Sequence, residues 1–187
     1  MEFVPLSSRM LNYLAKEDPV LKRYFHGTHP ADKLPHKPVK RVSTGYIVNT
    51  DPAGEPGEHW LAIWTKGDVC EVFDSYGLPL STYTDHDLQR WFKQWKHVVQ
   101  NQDTLQALDS QTCGHYALMY LKTRARGLSM QDFLSQWRGD NLVLNDHRVS
   151  QEIRNLIKQD LDEEDTFPPS VQTNRSRQFF VTCHDCE

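Results

Sequence analysis

Two apolar segments joined by a short turn constrain the fold of this chain more than any other feature. Residues 59–65 have the sequence HWLAIWT and residues 69–74 the sequence VCEVFD, with Lys66-Gly67-Asp68 between them. Segments rich in β-branched and aromatic side chains, separated by so few residues, favour an antiparallel hairpin. We therefore predict a β-hairpin over residues 59–74.

The remaining segments predict helices around a small sheet. Further short strands are expected at residues 46–50 and 97–100, and residues 26–44, which contain three prolines, are expected to be an irregular connection. Apolar positions at helical spacing predict two helices within 7–25, separated at Pro19, and helices over 85–95, 113–126, 129–137 and 146–161. This order predicts an α+β fold in which helices pack on a small mixed sheet.

Charge divides the chain into a near-neutral body and an acidic end. Residues 160–187 hold seven of the 25 acidic residues but two of the 21 basic ones. With 187 residues there is room for one full domain and too little chain for two. We predict a domain over residues 1–161 and a disordered acidic tail over residues 162–187.

Several classes of protein are excluded by composition. No apolar run approaches the roughly 20 residues of a membrane helix, and the first residues lack the pattern of a secretory signal. The four cysteines are irregularly spaced and do not suggest a disulfide framework, so we expect an intracellular protein. The basic clusters are too small to predict a nucleic-acid surface. Cys183 and Cys186 form one Cys-x-x-Cys pair, which supplies only part of a tetrahedral site, so no metal site is predicted.

Cys113 lies where a polar, turn-forming run gives way to a helix-like apolar run. A thiolate, not a thiol, attacks a carbonyl, and both a helix N-terminus and a nearby imidazole favour the thiolate. Gly114 removes side-chain bulk next to the sulfur, which would let an extended substrate approach. On this segment alone, however, a buried structural cysteine is the simpler interpretation.

The hairpin supplies partners for a nucleophile. Pairing about Lys66-Gly67-Asp68 would place His59 opposite Asp74, so that the carboxylate could hold one ring nitrogen while the other faces the sulfur. An amide side chain could stabilise a developing oxyanion, and Gln106, seven residues before the cysteine, has more room to do so than Gln111.

These motifs resemble those of a known family. His59-Trp60, the strand end at Phe73-Asp74, and Gln106 seven residues before Cys113-Gly114 are similar to the adenovirus-type endopeptidase, adenain. Its clan also contains the SUMO-specific proteases. Residues 24–28 and 47–50 resemble adenain too, and the similarity covers about residues 7–137.

The resemblance implies a papain-like mechanism on a circularly rearranged fold. Cys113 would be the nucleophile, His59 the base and Asp74 the group that orients the base. Gln106 and the backbone amide of Cys113 would form the oxyanion hole, and Trp60 would shield the pair.

Two departures from adenain limit what is carried over. Adenain commonly has glutamate where Asp74 stands, whereas the modifier proteases use aspartate. Adenain is also activated by DNA and by a peptide disulfide-bonded to a cysteine upstream of its glutamine. Residues 76–105 contain no cysteine, so we predict no required cofactor, neither activating peptide nor DNA.

We therefore predict a monomeric cysteine endopeptidase of a virus or virus-like element that cleaves precursor proteins after small residues such as glycine pairs. If the source is viral, the host nucleus and the virion are the expected locations. One alternative is a protease that removes SUMO or ubiquitin-like modifiers, and another is an inactive relative that only binds a peptide. All four catalytic roles are filled in this chain, which favours an active enzyme.

Overall fold

The computed structural model describes residues 4–36, 41–137, 139 and 141–165, with side-chain surroundings as far as residue 158. These residues form five strands and five α-helices. The strands are β1 (Phe25–His29), β2 (Thr44–Asn49), β3 (Trp60–Lys66), β4 (Val69–Phe73) and β5 (His97–Gln100). The helices are α1 (Ser8–Glu17), α2 (His86–Phe92), α3 (Cys113–Ala125), α4 (Met130–Trp137) and α5 (Leu142–Asp165).

The strands form one mixed sheet in the order β1-β2-β3-β4-β5. β2, β3 and β4 are antiparallel neighbours, while β1 pairs with β2, and β5 with β4, in parallel. The predicted α+β fold with a small mixed sheet packed with helices is confirmed. The irregular connection predicted over residues 26–44 is wrong at its start, where residues 26–29 belong to β1.

The central hairpin forms, but in a different register from the one predicted. Lys66 pairs with Val69 across a two-residue loop, and the last pair of the ladder is Ala62 with Phe73. If this register continued, Asp74 would lie opposite residue 61. The expectation that positions 59 and 74 are directly opposite is therefore wrong, because the tight turn has two residues and not three.

Both faces of the sheet are covered, which explains why every residue of β2 is buried. Next to one face lies a cluster that includes Tyr46, Ile63 and Cys70 together with Trp91 of α2. On the other face, α3 packs against β3, and Tyr120 of α3 stacks on Phe73 with ring centroids 4.8 Å apart. The sheet thus holds the start of α3 beside the hairpin.

The predicted helices form with small shifts of their ends, except the second helix predicted within residues 7–25, which is wrong: that stretch holds only a 3₁₀ turn, Leu21–Arg23, before β1. Ser7 caps α1 by accepting a hydrogen bond from the Met10 amide at 3.3 Å, and Asp85 caps α2 in the same way at 2.8 Å. The last helix begins at residue 142, four residues earlier than predicted, because Asn141 accepts from the Leu144 amide at 2.9 Å. It also continues to residue 165, so the prediction of disorder is wrong for residues 162–165. Residues 166–187, with Cys183 and Cys186, lie outside the described residues.

The chain divides into two compact units, Met1–Ser150 and Gln151–Glu187. The predicted boundary between a protease domain and a tail, after residue 161, remains a prediction. Within the described ranges, each helix is too short or too polar to cross a bilayer.

Candidate active site

Cys113 is the first residue of α3 and carries a free, partly exposed thiol. The first amide groups of a helix have no partner within the helix, and the helix dipole favours an anion there. Cys70, by contrast, is fully buried, and this burial raises the pKa of its thiol far above the usual value. Cys113 is therefore the accessible thiol of the two, as expected of a nucleophile rather than a core residue.

His59 lies next to β3, just before its first residue, and its ring is held by Asp74. The distance between His59 Nε2 and Asp74 Oδ1 is 2.7 Å, and the residues are 6% and 1% exposed. Although not directly opposite, the two positions are diagonal neighbours across the extended hairpin, which an imidazole can span. The Thr50 amide donates to the His59 carbonyl at 2.9 Å and fixes the backbone at this point.

The surroundings of the imidazole favour its charged form. Burial lowers the pKa of His59, but the hydrogen bonds to Asp74 and to Cys113, with the charges of both groups, outweigh burial and raise the pKa to about 9. At neutral pH the ring is then protonated, and a cation beside the sulfur favours the thiolate. The predicted pairing of Cys113 with His59 is thus present in the structure.

Asp74 is the most heavily hydrogen-bonded carboxylate of the site. Besides His59, it accepts from the amides of Tyr76 at 2.9 Å and Leu78 at 3.0 Å and from the Tyr83 hydroxyl at 2.6 Å. Burial raises the pKa of Asp74, yet these donors, His59 first among them, bring the pKa below its ordinary value. Asn101 holds the backbone of Asp74 by accepting from its amide at 2.9 Å and donating to its carbonyl at 2.7 Å.

Two tyrosine rings lie nearly parallel to the imidazole. The centroid of His59 is 4.8 Å from that of Tyr76, at 26° between planes, and 5.9 Å from that of Tyr83, at 17°. Aromatic faces attract a cation, so these rings favour the protonated imidazole and restrict its rotation.

Gln106 is fully buried and its side-chain amide is engaged on every side. Its Oε1 accepts from the Ser75 hydroxyl at 2.6 Å, while its Nε2 donates to the Ser110 carbonyl at 2.9 Å and to the Tyr76 hydroxyl at 3.1 Å. The role predicted for Gln106 in an oxyanion hole stays a prediction. In this structure one of the two Nε2 hydrogens that could bind an oxyanion is donated to the Tyr76 hydroxyl.

The loop that leads to Cys113 is clamped by a buried carboxylate from α5. Asp146 accepts from the Ala107 amide at 3.1 Å, the Thr112 hydroxyl at 2.7 Å and the Tyr116 hydroxyl at 3.2 Å. Asp146 thus holds the loop at both Ala107 and Thr112, and Cys113 follows directly after Thr112.

Trp60 packs against the start of α3, and this contact accounts for Gly114. A Cβ atom at Gly114 would lie 3.2 Å from the Trp60 ring and 3.3 Å from Leu6. The side-chain side of Gly114 faces this packing, so glycine lets Trp60 approach the helix that carries Cys113. The role predicted for Gly114 in letting a substrate approach stays a prediction.

Sequence reasoning missed four residues that complete the site: Tyr76, Tyr83, Asn101 and Asp146. Tyr76 could have been suspected from its place two residues after Asp74. The other three are separated from their partners by 9, 27 and 30 or more residues, and nothing in their local sequence indicates the contact. Among the described residues, no cluster of three His, Cys, Asp or Glu side chains could hold a metal ion.

Comparison with known proteins gives one curated relative. No family model matches the chain. The cysteine protease of African swine fever virus is 32% identical over 111 residues, which cover 53% of this chain and 41% of that protein. The chain thus spans less than half the length of this relative.

Two crystal structures of the African swine fever virus protease are also similar. One has 20% identity and a TM-score of 0.49 and covers 80% of this chain and 67% of the other. The second, of selenomethionine protein, has 28% identity and a TM-score of 0.35 and covers 61% and 46%.

Proposed function

We propose that this chain is a cysteine endopeptidase that hydrolyses peptide bonds with Cys113 as nucleophile. The observation that carries the proposal is the buried His59 imidazole, held by Asp74 at 2.7 Å, with Cys113 among the groups that raise its pKa. A thiol, an imidazole and an orienting carboxylate in this arrangement are the groups that acyl transfer requires.

The acylation step follows from this arrangement. The sulfur of Cys113, having given its proton to His59, attacks the carbonyl carbon of the scissile bond, and the carbonyl electrons move to the oxygen. The Cys113 backbone N–H supports this oxyanion, and Gln106 provides the second donor either directly or through the group that it holds. The protonated His59 then gives its proton to the leaving amine as the C–N bond breaks.

Deacylation uses the same residues in reverse. His59, now neutral, takes a proton from water as the water oxygen attacks the thioester carbon. The C–S bond breaks, the carboxylic acid product leaves, and the proton on His59 restores the initial pair. Asp74 stays ionised throughout and keeps the ring in the orientation that both steps need.

For the substrate, we propose precursor proteins of a virus or virus-like element, cleaved after small residues such as glycine pairs. The curated relative is a viral cysteine protease, which supports this choice, as does the resemblance to adenain. We propose that no activating peptide or DNA is needed and that the chain acts as a monomer.

The first test is hydrolysis of a fluorogenic peptide with a Gly-Gly site. Cys113→Ala should abolish turnover, because no other described thiol faces His59, whereas Cys70→Ala should keep it apart from a loss of stability. Turnover that persists in Cys113→Ala would overturn the proposal.

The second test separates the substrate classes. The wild-type chain is offered the Gly-Gly peptide, a SUMO fusion and a ubiquitin fusion at equal concentrations. We expect the highest kcat/KM on the peptide. Faster cleavage of a modifier fusion would assign the chain to modifier removal, and Cys113-independent binding without cleavage would indicate an inactive peptide binder.

A further inference from the structure

The orientation of the Gln106 amide is determined by its neighbours. The Ser75 hydroxyl donates to Oε1 at 2.6 Å, and the Ser110 carbonyl accepts from Nε2 at 2.9 Å. A flipped amide would place its oxygen against the Ser110 carbonyl, which cannot donate, and would lose that bond. The second N–H on Nε2 therefore points to the Tyr76 hydroxyl, 3.1 Å away, and Gln106 has no further hydrogen to offer a substrate.

The Tyr76 hydroxyl has a hydrogen that is still available. Its oxygen accepts from Gln106, and among the described residues no group accepts the phenolic hydrogen in return. The side chain is half-buried, so its hydroxyl end can meet a ligand in the site.

Tyr76 also lies close to the reacting sulfur. Its ring stacks on the His59 imidazole with centroids 4.8 Å apart, and Cys113 is among the groups that shift the pKa values of both rings. Burial, followed by the charge of Cys113 and those of nearby carboxylates, raises the pKa of Tyr76. The phenol thus remains protonated at neutral pH, and its hydroxyl is within electrostatic reach of the thiolate.

We propose that Tyr76 is a catalytic residue that donates its phenolic O–H to the oxyanion, with Gln106 as the positioning residue that holds the phenol. This inference rests on the proposed peptidase function and changes the role of the glutamine. The oxyanion hole then consists of the Cys113 backbone N–H and the Tyr76 hydroxyl.

The chemistry of this step is a strengthened hydrogen bond without proton transfer. As the sulfur forms its bond to the carbonyl carbon, the carbonyl electrons move to the oxygen, which accepts from the Tyr76 hydroxyl. The N–H that Gln106 donates to the phenol oxygen withdraws electron density and makes the phenol a better donor. A donor aimed at developing negative charge acts on the transition state more than on the bound substrate.

A different arrangement uses the same contacts. Tyr76 could cover Gln106 in the free protein and move away when substrate binds, leaving the glutamine amide to donate directly. In that case removal of the hydroxyl would leave the reaction unchanged or accelerate it. The two arrangements thus predict opposite effects for one substitution.

The test is Tyr76→Phe, which keeps the ring stacked on His59 and removes the hydroxyl. Tyr46→Phe is the matched control, because the Tyr46 hydroxyl is buried in the core and has no hydrogen-bond partner among the described residues. Three quantities are measured for each protein: kcat and KM on the Gly-Gly peptide, the Ki of a peptide aldehyde, and the rate of Cys113 alkylation by iodoacetamide. The aldehyde forms a hemithioacetal whose oxygen needs the oxyanion hole, and alkylation does not.

For Tyr76→Phe we expect kcat to fall by about 10- to 1,000-fold with KM little changed, and aldehyde binding to weaken. Alkylation should stay within about threefold of wild type, since the cysteine–histidine pair is intact, and Tyr46→Phe should match wild type in all three. Gln106→Ala should add little to the loss already caused by Tyr76→Phe, because the two act in series.

Unchanged or faster hydrolysis by Tyr76→Phe, with unchanged aldehyde binding, would overturn the inference and leave the peptidase function in place. An equal loss of alkylation and hydrolysis would also overturn it, since Tyr76 would then act only on the orientation of His59. A wild-type chain that neither cleaves peptides nor binds the aldehyde would overturn the proposed function itself.

Discussion

The chemistry of this site depends on the charge of one buried imidazole, that of His59. His59 is 6% exposed, yet its neighbours raise its pKa to about 9. Asp74 is the first neighbour that counters the effect of burial, and its own position depends on two backbone amides and the Tyr83 hydroxyl. The activation of Cys113 by His59 therefore depends on Asp74, a carboxylate for which no contact with the sulfur is described.

Replacing Asp74 with asparagine should expose this dependence. Without the negative charge the pKa of His59 falls, so we expect kcat/KM to drop by about 10²–10⁴-fold and Cys113 to alkylate more slowly at neutral pH. Glu71→Gln is the matched control: Glu71 pairs with Arg124 on α3, so this variant should lose stability and keep its activity. Equal activity of Asp74→Asn and wild type would rule out the assigned role.

The contact between Gly114 and Trp60 can be tested with one added methyl group. The Cβ of Gly114→Ala would sit 3.2 Å from Trp60 and 3.3 Å from Leu6, a distance that forces both to shift. We expect a loss of about 1–3 kcal/mol in the free energy of unfolding, measured by urea denaturation. Gly139→Ala is the control, because a Cβ there meets nothing within 4 Å; a similar effect at both positions would contradict the packing role.

Which site residues can be predicted from sequence depends on how local their contacts are. His59 and Asp74 are found because one hairpin brings them together, and Cys113 is found because it begins a helix, although no local pattern places that helix beside the hairpin. Tyr83 and Asn101 are not, since each reaches Asp74 through the path of a loop that no local pattern specifies. The packing role of Gly114 is also missed, because the contact with Trp60 joins two elements that are distant in sequence.

At the scale of elements, the start of α5 acts as a clamp on the loop before α3. Asp146 accepts from two groups of that loop, the Ala107 amide and the Thr112 hydroxyl, and from Tyr116 on α3. Gln106 precedes the first of these contacts by one residue and Cys113 follows the second by one. The spacing of the two functional residues therefore depends on a side chain that belongs to another helix.

Truncating this clamp should affect both stability and activity. Asp146→Ala leaves the buried Ala107 amide without its acceptor and removes one of the two partners of the Thr112 and Tyr116 hydroxyls, which keep Ser110 and Leu105. We expect the free energy of unfolding to fall by about 1–3 kcal/mol. The kcat on the Gly-Gly peptide should fall at temperatures where the variant is still folded, because Gln106 loses its fixed position. Glu152→Ala is the control, because Glu152 is an exposed residue of α5. A wild-type kcat in Asp146→Ala would show that the loop keeps its conformation without Asp146.

Most strands and helices could be predicted from sequence patterns, but β1 and the register of the hairpin could not. The strands and helices that carry alternating or helical apolar patterns are where they were predicted. β1 was missed because its sequence, FHGTH, has no apolar alternation and it becomes a strand only by parallel pairing with β2. The predicted register of the hairpin differs from the observed one by two residues, because the apolar pattern alone does not determine how many residues form the turn.

At the scale of the whole molecule, the charged site should appear in the pH dependence of stability. The folded pKa of His59, about 9, is above its ordinary value of 6.5, so folding favours the protonated ring. Its contribution to stability is full below pH 6.5 and is lost as the pH rises through about 9.

The measurement is urea denaturation of wild type and His59→Gln at a series of pH values. The stability difference between them should be largest below about pH 6.5 and shrink towards about pH 9. Subtracting the variant removes the titration of tyrosines, lysines and the other histidines. A difference that stays constant with pH would show that folding does not raise the pKa of His59.

The central claim, that His59 activates Cys113, is tested most directly by the alkylation rate of this one thiol. Wild type and His59→Gln are treated with iodoacetamide at about pH 7, and mass spectrometry resolves Cys113 from the buried Cys70. We predict that Cys113 is labelled at least about tenfold more slowly in His59→Gln, while Cys70 is labelled slowly in both. Equal labelling rates of Cys113 in the two proteins would contradict the account.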